Sequence, residues 1–165
     1  MNESLIRRWN ETVGPDDDVY NLGDFVFQSN PDLVDALLSR LNGRHHLIYG
    51  NHDQVLKKHR GRLARHFVWT KDYHELRIDD HFVVLHHFPM AVWNKMHYGS
   101  IHLHGHCHGS YVERLGNKIV DVGIDSKHVT GRYDMRPFSF EEIRLCMSRR
   151  SFVPVDGHGR AGQPE

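Results

Sequence analysis

Residues 46–53 read HLIYGNHD, and this stretch decides how the rest of the chain is read. Leu47, Ile48 and Tyr49 are apolar and of strand-forming type, and Gly50 breaks the run. An apolar run of this length bounded by a glycine predicts a buried strand. Directly after the glycine come an amide, an imidazole and a carboxylate in succession, Asn51, His52 and Asp53. The same arrangement recurs elsewhere. VYNL (19–22) runs into Gly23 and Asp24; HFVVL (81–85) runs into His86 and His87 before Phe88-Pro89; SIHLHG (100–105) runs into His106, Cys107 and His108. Each is a strand that ends in possible metal ligands on a short loop. Carboxylate, amide and imidazole donors at the carboxyl ends of neighbouring strands let a rigid sheet hold divalent metals at a fixed spacing. A glycine ahead of the ligand lets the backbone turn sharply and approach closely. Asn51 offers a neutral carbonyl oxygen where a further carboxylate would repel an anionic substrate.

Working outward, Leu5, Ile6, Trp9 and Val13 recur at helical spacing up to Gly14-Pro15, which predicts a short amphipathic helix over 2–13. Asn30 as cap, Pro31 in the first turn and Leu33, Val34, Leu37, Leu38 and Leu41 on one face predict a second helix, stopping at Asn42-Gly43. QVLKKHRGRLARHF (54–67) reads as a basic helix interrupted at Gly61. From Phe67 the period changes to two, with a turn at Asp79-Asp80 and a hairpin turn at Gly116-Asn117. Ser139 with Glu142 three residues on has capping-box spacing and opens a last helix to about Met147. The pattern predicts an α/β domain over 1–150, with two sheets or one mixed sheet, and a loosely ordered tail over 151–165.

The chain has 165 residues, enough for one domain with a sizeable core. Lysine plus arginine and aspartate plus glutamate both number 21, so no global field attracts nucleic acid or an anionic membrane. Two cysteines, Cys107 and Cys146, no signal peptide and no apolar run of spanning length point to a soluble protein of the cytoplasm. The 16 histidines are the unusual feature, because histidine is both the neutral-pH proton carrier and the commonest metal ligand. His102, His104, His106 and His108 alternate along the chain, and on an extended strand their rings would all face one side. Cys107 between two of them reads as a small buried filler, and Trp9, Trp69 and Trp93 as packing residues.

LGD (22–24), GNHD (50–53), the histidine before Phe88-Pro89 and GHCH (105–108) together resemble the calcineurin-like metallophosphoesterases. The resemblance extends to about residue 147, including PFSFEEI (137–143). It implies a four-layer α/β/β/α sandwich and a pair of divalent ions, Mn²⁺, Fe or Zn²⁺, about 3.5–4 Å apart, that clamp a phosphomonoester or phosphodiester for hydrolysis. Carried over by position, Asp24 bridges both metals, Asn51, His87 and His106 complete one site, and His108 belongs to the other. His52 serves as general acid for the leaving oxygen, with Asp53 orienting its ring.

The resemblance has a gap. The family pattern opens with Asp-x-His at the end of a first strand, whereas MNESLIRRWN (1–10) reads as the helix that comes after that motif. By this mapping one metal site is complete and the other retains Asp24 and His108. A reading frame that begins at an internal methionine, substitute ligands from His86 or His104, or a loss of catalysis would each account for the gap. A missing strand would also leave a sheet edge or core gap, with reduced stability or self-association. The competing function is a non-catalytic, single-metal protein that recognises a phosphate-containing ligand or a protein partner. A nucleic-acid-binding module ranks behind both, so nucleic acid enters chiefly as a substrate, and oligomeric state stays open.

Overall fold

The computed structural model describes residues 3–111 and 117–151. Its order is α1 (Glu3–Thr12), β1 (Asp18–Asn21), α2 (Pro31–Leu38), β2 (Arg44–Ile48), α3 (Gln54–Lys58), α4 (Arg60–Leu63), β3 (Phe67–Lys71), β4 (Tyr73–Ile78), β5 (His81–His86), β6 (Ile101–His104), β7 (Ile119–Asp121) and α5 (Phe140–Met147). The strands form two sheets. One is parallel, in the order β1-β2-β3; the other is mixed, in the order β4-β5-β6-β7, with β4 antiparallel to β5 and the remaining pairs parallel.

The period-two pattern explains how the sheets face each other. Val83 and Leu85 of β5, Ile101 and Leu103 of β6 and Val120 of β7 share one face and pack with Leu22 and Ile48 from the parallel side. Ile143 and Met147 of α5 join the same cluster. The opposite face of the parallel sheet is covered by helices. Leu47 meets Val34 and Leu38 of α2, Val55 and Leu56 of α3 and Leu63 of α4, while Val19 meets Ile6 and Trp9 of α1. On the far side of the mixed sheet, Val84 and Ile119 pack under Trp93 and Met96. The molecule is thus an α/β architecture of two sheets flanked by helices, the first of the two arrangements that the sequence pattern allowed.

Both cap readings hold. The Asn30 side chain accepts from Asp32 N at 2.9 Å, with Pro31 in the first turn, and Ser139 and Glu142 form a reciprocal capping box. The helix after Asp53 breaks at His59 rather than at Gly61, which lies inside α4. Asp79-Asp80 turns the β4–β5 hairpin, with Ile78 opposite His81. The turn expected at Gly116-Asn117 and the tail expected beyond Arg150 lie almost wholly outside the described residues.

Among the described residues β1 has β2 as its single strand neighbour. Beside its other edge runs a groove of about 610 Å³, lined by Trp9, Val19, Leu22, Val26, Val122 and Ile124 and by the carboxylates of Asp24, Asp121 and Asp125.

Candidate metal centre

The loops after β1, β2, β5 and β6 meet at one end of the two sheets, and the contact between the first two is very close. A Cβ on Gly23, whose φ is 92°, would stand 2.6 Å from the Gly50 nitrogen, and a Cβ on Gly50 would collide with Asp24. Both positions therefore require glycine. Asp53 holds the pair together. Its fully buried carboxylate accepts the backbone N–H groups of Asp24 and Phe25, each at 2.9 Å, and of Gly50 at 2.8 Å. Its oxygens thus serve the backbone of both ligand loops, not the His52 ring for which the sequence reading reserved them.

Asp24, His87 and His106 bring one ligand atom each to within 4.8 Å of one another, the single group of three or more such residues found among the described residues. His87 is fixed from behind, because its Nδ1 lies 2.7 Å from the Leu22 carbonyl oxygen and donates to it. That bond turns Nε2 toward the other two groups, 3.3 Å from Asp24 Oδ2 and 2.9 Å from Asn51 Oδ1, the nitrogen that a metal would take. The atoms of the three groups face a common point, where a bound cation would be shared by all of them. The donor set, imidazole nitrogen with carboxylate and amide oxygen, fits a divalent transition metal. The backbone is strained at the same place: Asp24, His106 and His108 all have positive φ, at 53°, 66° and 48°. Side chains other than glycine rarely adopt this region, and such strain clusters at functional sites.

His52 lies on the rim. Its ring is exposed beside Phe27, centroids 5.3 Å apart, and its backbone N–H donates to Asp24 Oδ1 at 2.8 Å. His108 stands apart from the three-residue group. Its Nδ1 pairs with Asp125 Oδ2 at 2.6 Å, and the Asp125 carboxylate raises its pKa above the ordinary histidine value. Neither substitute ligand reaches the group. His86 turns back to the main chain of Phe88, while His104 is fully buried on β6, with Nδ1 2.8 Å from the Gly105 carbonyl oxygen and Nε2 without a partner.

The row of four histidines is therefore two pairs. His102 and His104 share a face of β6, their centroids 5.7 Å apart, and both are buried. His106 and His108 have left the strand at Gly105, so the common face expected for all four rings ends there. Two residues of the site escaped the sequence reading. Asp121, fully buried, accepts the N–H of Gly109 at 2.8 Å and of Gly123 at 2.9 Å, tying the His106–His108 loop to β7, and Asp125 pairs with His108. IVDVGID (119–125) is again a strand followed by glycine and aspartate, the signal already used for the other loops.

A layered α/β fold whose strand ends gather an imidazole–carboxylate group defines a protein with a metal-binding type of fold and, among the described residues, one place able to hold a single ion. No family model matches the chain. The gene 66 protein of Mycobacterium phage D29 is 33% identical over 149 residues, spanning 75% of each chain, and the chain belongs to the family of this protein. The gene 66 protein of Mycobacterium phage L5 is 28% identical over 150 residues, 74% of this chain and 72% of the relative. An uncharacterized protein of Methanocaldococcus jannaschii is 43% identical over 61 residues, 36% of this chain and 35% of that one. Among solved structures, a protein of unknown function from Aquifex aeolicus superposes with a TM-score of 0.62 at 20% identity, covering 86% of this chain and 82% of its own, and shares the fold.

Proposed function

We propose that the chain is a metal-dependent phosphoesterase of the calcineurin-like type, acting on a phosphomonoester or phosphodiester. The observation that carries this reading is the convergence of Asp24, His87 and His106, with the Asn51 oxygen 2.9 Å from His87, on loops from both sheets. A divalent cation, when bound, supplies positive charge that offsets the negative charge building on a phosphoryl group. The chain's own residues would do the rest. Asp24, Asn51, His87 and His106 hold the ion. His52, on the exposed rim one residue from Asn51, gives a proton to the leaving oxygen. Asp53 keeps the ligand loops at their spacing through three backbone N–H groups. In this reading residues 1–150 act as one domain in the cytoplasm. Mn²⁺, Fe and Zn²⁺ all suit the donor set.

A second ion would draw on Asp24 and His108, which both line the groove beside β1. A strand added at the open edge of β1 would lie in that groove and could bring further donors, the part the Asp-x-His motif plays in the resemblance. The rival reading, a single-metal protein that binds a phosphate-containing ligand or a protein without turnover, is favoured by the pairing of His108 with Asp125 instead of with the group.

Elemental analysis after loading with Mn²⁺ and desalting, paired with hydrolysis of an aryl phosphodiester, separates them. Turnover that His52→Ala abolishes while the metal content stays the same supports the enzyme. Retention of one ion or fewer without turnover supports the binding protein.

A further inference from the structure

The basic run 57–65 divides into two halves of different character. Arg62 is bound to Asp32 at 2.5 Å and Asp35 at 3.2 Å, and Arg65 to Asp35 at 2.6 Å, so α2 neutralises the half farther from the ligand loops. Lys57, Lys58 and Arg60, the half nearest them, are exposed and form no ion pair among the described residues. They belong to α3, which opens directly after Asp53, and to the first residue of α4. Lys57 and Lys58 sit in the second half of α3, whose first residue follows the ligand loop directly, and Arg60 follows the break at His59. Lys57 reaches back over the Tyr49 ring, at 5.0 Å, toward the end of β2, where Gly50 and Asn51 lie next in the chain.

Two apolar rings are exposed on the same rim. Phe27, 71% exposed, stands against His52. Phe88, 40% exposed, lies 4.6 Å from the ring of His106 and 4.7 Å from that of His87, by centroids. The sequence places these aromatics far from the basic run; the fold brings Phe27, Phe88 and Lys57 beside the ligand loops, and Lys58 and Arg60 follow Lys57 in the chain. Cations that track a phosphate backbone and aromatic faces on which bases stack are the two components of single-strand recognition.

Resting on the phosphoesterase reading, we propose that the ligand is a single-stranded nucleic acid, held through its phosphates by Lys57, Lys58 and Arg60 and through its bases by Phe27 and Phe88, which presents a phosphodiester to the metal-ligand loops. The neutral overall charge does not oppose this, because the unpaired cations are local, while Asp121 is buried under the N–H groups of Gly109 and Gly123 and Asp125 is paired with His108.

The test is fluorescence anisotropy of a labelled oligothymidylate of roughly twelve nucleotides with the full chain in the presence of chelator. Three phosphate contacts at about −0.7 each give a slope of log K against log salt near −2. The triple variant Lys57→Glu, Lys58→Glu, Arg60→Glu is expected to lower affinity at least tenfold and to flatten that slope. Phe27→Ala and Phe88→Ala are expected each to lower affinity roughly tenfold and to leave the slope in place. All of these side chains are exposed, so circular dichroism is expected to match the parent chain. Absence of binding at low salt, or binding that the triple variant retains, overturns the proposal. Because binding is read without metal, it fails or stands apart from the phosphoesterase reading. Aryl phosphodiester turnover without oligonucleotide binding sinks this inference alone; oligonucleotide binding without turnover on metal loading supports this surface and sinks the hydrolytic reading alone.

Discussion

Asp53 is a single carboxylate that accepts three backbone N–H groups from two loops while fully buried. Replacing it by asparagine puts an amide NH₂ where one oxygen stood, so at least one buried N–H then faces a donor. A buried donor left without its charged partner costs on the order of 3 kcal/mol, so Asp53→Asn is expected to lose about that much stability. Urea denaturation should show the midpoint falling with an unchanged slope. A lower slope would mean a looser native state instead. His102 makes a second residue-scale case. It is fully buried, Met90 N donates to its Nε2 at 3.2 Å, Nδ1 faces the Val84 carbonyl at 3.2 Å, and the Phe88 carbonyl 3.3 Å from Nε2 opposes the effect of burial only in part. Burial pushes its pKa down to about 4. The unfolded chain therefore binds the proton first as pH falls. The stability contributed by the neutral ring is fully present above about 6.5 and is lost as pH falls from there to about 4, and the gap amounts to about 3 kcal/mol. Unfolding free energies measured at half-unit steps between pH 7 and pH 4 should fall less steeply in His102→Gln than in the parent chain.

Elements were legible wherever local chemistry settles them. Asn30-Pro31 and Ser139 with Glu142 fix the starts of α2 and α5 through hydrogen bonds to residues two or three positions on, so no tertiary information is needed to place them. The Glu142 carboxyl, held by the Arg136 guanidinium and the Ser139 backbone, drops to a pKa of about 2 and stays charged at the helix N-terminus. Ser139→Ala is expected to cost about 1 kcal/mol, read as a shift in the urea midpoint, with Ser139→Asp recovering most of it. Where elements pack on each other the sequence spoke less clearly. The break between α3 and α4 falls at His59, where the chain bends so that Val55 and Leu56 on one side and Leu63 on the other reach the same cluster; Gly61, the obvious breaker, meets nothing a Cβ would touch. The alternation of His102 to His108 carried a period but not the place where the strand stops. Gly105 ends β6, and positive φ at His106 and His108 sends those rings elsewhere. The three residues able to hold a metal ion lay in motifs that end strands, a pattern the sequence carries on its own. Asp121 and Asp125 close and follow β7, whose alternation reads equally as one arm of a hairpin turning at Gly116-Asn117, so the glycine and aspartate after it did not stand out as a ligand loop.

At the scale of the molecule, the metal group matters because its members come from both sheets. Asp24 and Asn51 follow β1 and β2 of the parallel sheet, while His87 and His106 follow β5 and β6 of the mixed one. The sheets already share one apolar cluster through Leu22, Ile48, Leu85 and Leu103, so an ion at the group adds a second tie at the end where the loops carry backbone strain and an open groove. An ion that binds this arrangement and not the unfolded chain stabilises it by mass action, about 2.7 kcal/mol when free metal is a hundredfold above Kd. For a chain of this size that corresponds to a rise in Tm of roughly 5–10 °C. Differential scanning fluorimetry with Mn²⁺ or Zn²⁺ is expected to show this rise, growing with the logarithm of metal concentration. His87→Ala removes the ligand held by Leu22 and is expected to abolish the rise, whereas His104→Gln, at a buried position outside the group, is expected to lower the starting Tm and keep the rise. If the His87→Ala chain shifts as far as the parent, the ion binds elsewhere and the two sheets are not joined through these loops.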